Sequence, residues 1–317
     1  MILVTGAAGF IGSSLVDKLL LNNNEVIGID NFSNNYDKNI KLKNIEKAKT
    51  NKLYTFKNND IRDFTQLEAT FAKYKIDLIV HLAARPGVRA SFENPNEYYE
   101  TNVVGTGNIL ECAKKYKVKN VIMASSSSVY GDDNFSNVSE DKITNKQISI
   151  YACTKKMNEI VAYNYYKNFN ISIVLLRFFT VYGPRQRPDL AISLFSKNIN
   201  ENKKINIHGD GSTFRDYTYI TDTVSGIVKS IDYIKTHDLV YEIFNIGSGN
   251  KITLNDMIDN LERELEKKAI RNYVEIPKGD VKATLSNCNK AIKFLGFKSE
   301  IDFNKGIELF AKYMSKK

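Results

Sequence analysis

Cysteine is scarce in this 317-residue chain, which has only Cys112, Cys153 and Cys288. They are far apart, odd in number and lack the close spacing that metal sites use. Neither a disulfide framework nor a metal centre is expected; free thiols in a reducing, cytoplasmic compartment are. Long hydrophobic runs are absent too. None approaches the roughly 18 residues of a membrane span, so no membrane partner is expected. Met1 leads straight into Ile2–Val4, which reads as a first strand, so no signal peptide is expected ahead of the fold. There is no internal repeat and no long flexible linker, which excludes a repeat architecture.

What is present is globular material. Apolar residues make up 43% of the chain and charged ones 26%, enough to bury a core. The length suits one large domain or two interleaved ones. Lysine and arginine outnumber aspartate and glutamate by 45 to 36, giving a formal net charge of +9. The cations are spread along the chain, often beside asparagine, and no nucleic-acid module is recognisable. A lysine-rich solvated surface accounts for them better than a DNA-binding face, so no nucleic-acid partner is expected. An anionic small molecule needs only a few local cations.

Strands and helices alternate through the first half. Apolar runs predict strands at Ile2–Thr5, Glu25–Ile29, Leu53–Lys57, Leu78–Leu82, Asn120–Ala124 and Ser172–Arg177. Helical periodicity predicts helices at Ile11–Leu21, Phe64–Tyr74, Glu97–Lys115 and Tyr151–Asn168, with Asp37–Lys49 a helix or helical loop. Such alternation calls for an α/β fold, a doubly wound parallel (Rossmann) sheet. The second half is less regular. Pro184 and Pro188 punctuate a loop and Gly209-Asp210-Gly211 marks a turn. Helices are expected at Leu190–Asn200, Asp222–Ile234, Met257–Leu265 (entered through Thr253 and Asp256) and Phe303–Met314. The expected division is a cofactor domain over 1–178 and a smaller C-terminal α/β domain over 179–317, mainly for substrate, with returns to the first.

Gly6-Ala7-Ala8-Gly9-Phe10-Ile11-Gly12 lies between the first strand and the first helix, where a dinucleotide fold needs its glycines. Gly6 permits the tight turn, Gly9 lets backbone approach a pyrophosphate and Gly12 allows close helix–sheet packing. The helix then turns free N–H groups and a partial positive charge towards the phosphates. The spacing is G-x-x-G-x-x-G rather than G-x-G-x-x-G, and a lone glycine triplet also occurs in surface loops. Here the strand before, the helix after and the acid downstream agree. That acid, Asp30, ends the second strand, where a carboxylate accepts ribose hydroxyls and repels a 2′-phosphate. No arginine lies between Asp30 and Asp60, so NAD is favoured over NADP. Asp60, followed by Ile61, is a candidate for the adenine amino group; the competing reading is a loop aspartate.

Tyr151 and Lys155 form Tyr-x-x-x-Lys at the start of a predicted helix, on one helical face. An ammonium one turn away lowers the pKa of a phenol that otherwise titrates near about 10. Alone this pair is common by chance. Its context is Ser125-Ser126-Ser127-Ser128-Val129-Tyr130-Gly131 at the carboxyl end of a predicted central strand, where substrates of open sheets bind.

Together these residues resemble the extended short-chain dehydrogenase/reductase family over nearly the whole chain. His81-Leu82-Ala83-Ala84, Asn102-Val103-Val104-Gly105-Thr106 and Gly209-Asp210-Gly211-Ser212-Thr213-Phe214-Arg215-Asp216-Tyr217 are similar to its nucleotide-sugar branch. Gly87-Val88-Arg89, Arg177-Phe178-Phe179-Thr180-Val181-Tyr182-Gly183-Pro184 and Arg187-Pro188-Asp189-Leu190-Ala191 most resemble the 4-epimerases of UDP-glucuronate and UDP-glucose. The resemblance implies that Tyr151, as phenolate and helped by Ser126, takes the proton of the sugar 4-hydroxyl while hydride passes from C4 to NAD. The keto sugar then turns over and takes the hydride back on its other face. The implied cofactor set is Gly6, Gly9, Phe10, Ile11, Gly12, Asp30, Asn31, Asp60, Ile61, Leu82, Ala83, Ala84 and Asn102, with Tyr151 and Lys155 at the nicotinamide end. The implied substrate set is Arg89, Ser126, Ser127, Ser128, Thr180, Arg187, Leu190, Arg215 for the diphosphate and Asp280 for the nucleotide ribose. A homodimer through the helices around Glu97–Lys115 and Tyr151–Asn168 is implied as well.

Departures narrow the choice. Dehydrating relatives carry Asp-Glu just before Val-Tyr-Gly, because elimination needs an acid and a base; decarboxylating ones usually carry a glutamate. This chain has Ser127-Ser128. Thr180 stands where galactose-type epimerases have asparagine and Pro86 where they have lysine, and Pro277 takes the place of an arginine three residues before Asp280. Hydroxyls at Ser126–Ser128 and Thr180 suit a uronate carboxylate, so a UDP-glucuronate/UDP-galacturonate 4-epimerase is the leading expectation. UDP-glucose/galactose or UDP-N-acetylhexosamine epimerisation, a reductase releasing its keto product, and a non-catalytic NAD-binding protein stand as alternatives.

Overall fold

The computed structural model describes residues 1–131, 137–275 and 283–315. Through the first half the chain alternates β1 (Ile2–Thr5), α1 (Phe10–Leu21), β2 (Val26–Ile29), α2 (Lys38–Lys49), β3 (Tyr54–Lys57), α3 (Phe64–Lys73) and β4 (Leu78–His81). Two single turns, α4 (Ala90–Glu93) and α5 (Pro95–Tyr98), lead to α6 (Gly105–Lys115), β5 (Asn120–Ser126), α7 (Ile150–Phe169) and β6 (Ser172–Phe178). The second half adds β7 (Thr180–Tyr182), α8 (Ala191–Asn200), β8 (Lys204–His208), β9 (Phe214–Tyr219), α9 (Ile220–Thr236) and β10 (Tyr241–Ile246). It closes with β11 (Lys251–Thr253), α10 (Leu254–Leu265), β12 (Ile270–Val274), α11 (Asn289–Leu295) and α12 (Phe303–Met314).

Seven strands form one sheet in the order β10-β6-β5-β4-β1-β2-β3, every pair parallel. Strand order reverses between β1 and β4, so the crevice at their carboxyl ends is the natural ligand site. Successive strand residues face opposite layers. Ile2, Val4, Val80 and Leu176 join the core under α1 and α9, while Leu3, Ile79, Met123 and Leu175 join the core under α3, α6 and α7. Burial on both faces explains why these strands read as unbroken apolar runs.

The sequence pattern missed the sheet's edge. β10 pairs with β6 in register Tyr241↔Ile173 to Ile246↔Phe178, and α9 packs back onto α1 and the sheet. Two small sheets, β11-β9-β7 and β12-β8, flank the crevice. Expected helix starts coincide with real caps. The Ser149 side chain accepts from the Ala152 N–H at the head of α7, and Thr253 with Asp256 forms a capping box for α10. The helix expected over Glu97–Lys115 is not uniform: Tyr99–Val104 winds as a π-helix between α5 and α6. The wider turn holds Asn102 inward, where its amide serves the neighbouring loop.

Candidate active site

At the carboxyl ends of β1, β2 and β4–β6 lies a cavity of about 520 Å³, adjoining a second of about 760 Å³. They share lining from Asn35, Arg85, Thr180, Arg187, Leu190 and Arg215, so they form one cleft in two compartments.

The first compartment begins at the glycine loop. Gly6 has φ +69°, and a Cβ there would lie 2.9 Å from the Ala83 nitrogen; a Cβ on Gly12 would lie 2.0 Å from the Gly6 carbonyl oxygen. Only glycine lets β1, α1 and the loop after β4 converge. Asp30 accepts from the N–H groups of Ala8 (3.1 Å) and Phe32 (2.8 Å). Burial pushes its carboxyl up, while those amides and Lys41 pull it back. Phe10, Ile11, Asn31, Ile61, Leu82, Ala83 and Ala84 also line this compartment. Asp60 does not; its carboxylate is held by Arg62 and Asn31, which keep it at about 2 against the opposing effect of burial. Asn102 is fully buried behind the wall. It accepts from the Arg85 N–H (2.6 Å) and donates to the Arg85 carbonyl (3.1 Å) and to Thr154 Oγ1 (3.0 Å). It therefore shapes the loop after β4 instead of facing the cavity.

His81 braces the same loop from below. Its Nδ1 pairs with Thr5 Oγ1 at 2.8 Å and its Nε2 with Thr106 Oγ1 at 2.9 Å, and Thr5 Oγ1 accepts from the N–H groups of Leu82 and Ala83. Burial, with Lys155 nearby, drives this imidazole down to about 3, so it is neutral.

At the other end, β5 and α7 bring Tyr151, Lys155 and Ser126 together in the cavity wall. Ser126 Oγ accepts from the Ser128 N–H (3.2 Å) and hydroxyl (2.9 Å) and shares the cavity wall with Tyr151. Lys155 Nζ donates to the Ala124 carbonyl at 2.8 Å, and burial lowers this ammonium to about 8. Burial pushes the Tyr151 phenol up; the Ser126 hydroxyl and the positive charge of Arg187 oppose it. The Tyr98 ring meets Tyr151 edge-on at 6.4 Å.

Ser127, Ser128, Thr180, Arg187, Leu190 and Arg215 line the first compartment, whereas Arg89 lines only the second. Arg187 is held by its own Asp189 through two bonds of 2.9 and 2.6 Å. Asp280 lies outside the described residues. The sequence reading missed Arg85, Tyr36 and Lys41, which also line the first compartment. Lys41 sits in a helix that looked solvated, yet it is buried, donating to the Ser33 carbonyl (2.7 Å) and Asn35 Oδ1 (2.8 Å). Arg85 directly follows the expected run Leu82–Ala84 and bridges Asn34 and Glu97.

Comparison with known proteins gives a consistent picture. The sequence matches the GDP-mannose 4,6 dehydratase family over residues 3–310. It is 41% identical over 307 residues to the UDP-glucuronate 4-epimerase of Thermodesulfobacterium geofontis, covering 96% of this chain and 93% of that one. The UDP-glucuronic acid 4-epimerase of Bacillus cereus, solved with UDP-glucuronic acid and NAD, is 38% identical, with a TM-score of 0.94 over 99% of each chain. The UDP-glucose 4-epimerase of Thermotoga maritima, solved with UDP-glucose, is 31% identical, with a TM-score of 0.90 over 99% of this chain and 98% of that one.

Proposed function

The chain belongs to the GDP-mannose 4,6 dehydratase family, of the extended short-chain dehydrogenase/reductase type, and from that premise we propose that it is an NAD-dependent UDP-glucuronate 4-epimerase. One observation carries the reading. The Tyr151 phenol is flanked by Ser126 and Arg187, while positions 127 and 128 offer hydroxyls to the cavity and no carboxylate. Oxidation at the hydroxyl-bearing carbon is provided for; the acid–base pair that eliminates water is not.

The glycine loop, the amino end of α1 and the Asp30 carboxylate fit a dinucleotide: the backbone passes where a Cβ would collide, and Asp30 lines the cavity beside that loop, where it would accept the ribose hydroxyls. NAD held there supplies a reversible hydride acceptor. The chain's own residues handle the proton and the pose. Tyr151, as phenolate, takes the 4-hydroxyl proton and returns it after the sugar has turned. Ser126 shares that proton, its own lone pair fixed by Ser128. Lys155 supplies the positive charge at the floor of the site. Ser127, Ser128, Thr180 and Arg187 receive the sugar carboxylate, and Arg215 the diphosphate; an arginine fork suits both anions. Arg187 can engage the carboxylate only by sharing or releasing Asp189, so a neutral sugar gains less from it.

Residues 1–178 serve the cofactor and 179–317 mainly the substrate. The active species is a homodimer through α6 and α7, a reading supported by apolar side chains left exposed on and beside them, Val104, Met157, Ile160 and Tyr163. The enzyme works in the cytoplasm, which the three free cysteines support. Among the described residues no helix is long and apolar enough to cross a membrane.

The substrate preference is tested by competition. Turnover of UDP-galacturonate in excess of UDP-galactose is expected; turnover of UDP-galactose but not UDP-galacturonate would refute it.

A further inference from the structure

Beneath the cavity floor lies a buried ionic group that the chemistry above does not use. Glu159, on α7, is 2% exposed, as is Arg177 on β6, and Ser125 on β5 is 4% exposed. Arg177 grips the carboxylate through Nε (2.8 Å) and Nη2 (2.9 Å), and the Ser125 hydroxyl donates to it at 2.7 Å. The Lys156 ammonium stands 3.2 Å away, and the Arg177 guanidinium also lies over the Tyr130 ring at 4.8 Å. Ser125 and Arg177 are direct partners in the β5–β6 register.

A buried ion pair is weak evidence of stabilisation, because desolvating two charges offsets most of their attraction. Geometry gives this one another use. Tyr151, Lys155 and Glu159 are four residues apart, on one face of α7. They face three consecutive residues at the end of β5: Tyr151 shares the cavity wall with Ser126, Lys155 bonds the Ala124 carbonyl, and Glu159 bonds Ser125. The last contact is tied to β6 by the paired bonds from Arg177. The first two are made by groups that must also work on ligands, so they cannot by themselves fix the helix against the strand.

We propose that Ser125, with Glu159 and Arg177, is a positioning residue for the reaction: it pins the end of β5 to α7 so that Ser126 stays within reach of the Tyr151 phenol. This rests on the proposed roles of Tyr151 and Ser126. Ser125 lies in the wall of the first compartment with its hydroxyl committed to Glu159, so that hydroxyl acts through Glu159 and not on the reacting atoms. Misplacing a reacting group by about 1 Å costs on the order of a hundredfold in rate, so a partial loosening is felt in kcat before it is felt in binding.

The test is Ser125→Ala, which leaves the Arg177–Glu159 pair whole, with Ser125→Thr as the conservative variant. Steady-state epimerisation of UDP-glucuronate should show kcat reduced by about tenfold with KM within about twofold, and partial recovery in the threonine variant. A second readout does not need turnover: ultraviolet difference titration of the Tyr151 phenol, taken against Tyr151→Phe. Among the described residues that phenol meets Ser126 from β5, Tyr98 from α5 and Arg187 from the loop before α8, while Lys155 on its own helix is committed to the Ala124 carbonyl. Only Ser126 is loosened by the alanine variant, so the phenol midpoint should move to higher pH. An unmoved midpoint with unchanged kcat, or a rise in KM with kcat intact, overturns the proposal. So does a lower melting temperature with an unmoved midpoint, which would make Ser125 merely structural. If the unmodified protein does not turn over UDP-glucuronate, the proposed function fails, and the midpoint alone then decides the positioning.

Discussion

His81 shows how a side chain that touches no ligand still governs the site. Its folded-state pKa lies near 3 and its unfolded value near 6.5. Between those limits the unfolded chain binds a proton that the folded protein refuses. Stability therefore falls as pH falls through that window, by up to about 1.4 kcal/mol per pH unit. Urea unfolding followed by circular dichroism at several pH values should show this slope, and His81→Gln should flatten it; an unchanged slope would assign the acid sensitivity to other groups. Tyr151, Lys155, Ser126, Asp30 and the glycines were legible in the sequence because covalent spacing alone puts them at a strand end or on one helix turn. Arg187 was legible as a candidate, but not as a neighbour of the Tyr151 phenol, since that approach depends on how the loop before α8 folds over the site. Lys41 and Arg85 were not legible at all: a lysine in a polar helix gives no sign that burial will claim it.

At the scale of elements, the helix between β4 and β5 is the instructive case. Periodicity gave its extent but not the π-helical stretch at Tyr99–Val104, because one widened turn barely alters an apolar pattern. That turn delivers Asn102 to the Arg85 backbone and Thr154. Asn102→Ala leaves a buried N–H and carbonyl without partners, and we expect a loss of about 2 kcal/mol by urea unfolding, at the usual cost of unmade bonds. Weaker NAD binding in the same variant should accompany it, since the loop after β4 lines the cofactor compartment; full stability with full affinity would count against the role given to Asn102. Strands β1 to β6 of the large sheet were readable, whereas β7, β8, β9, β11 and β12 were not. Burial along them is mixed, so no continuous apolar run marks them out. β10 escaped for a different reason, being the edge strand of a sheet whose other members lie at least 60 residues earlier in the chain.

For the whole molecule, the doubly wound sheet sets the crevice and the second half of the chain closes it, passing back through α9 and β10 to bind the two together. Among the described residues, α7 leaves several large apolar side chains exposed. Ile160 is the most exposed of them, at 61%. Ile160→Glu should reduce the light-scattering mass from two chains to one, and an unmodified protein that is already monomeric at high concentration would refute the dimer. The most direct test of the proposed function is nuclear magnetic resonance of the purified protein with UDP-glucuronate and no added cofactor, following the anomeric and H4 signals of the sugar. A new equatorial H4 signal, the mark of an axial 4-hydroxyl, is predicted, growing to equilibrium without net oxidation. Unchanged sugar signals, with or without added NAD, would contradict it.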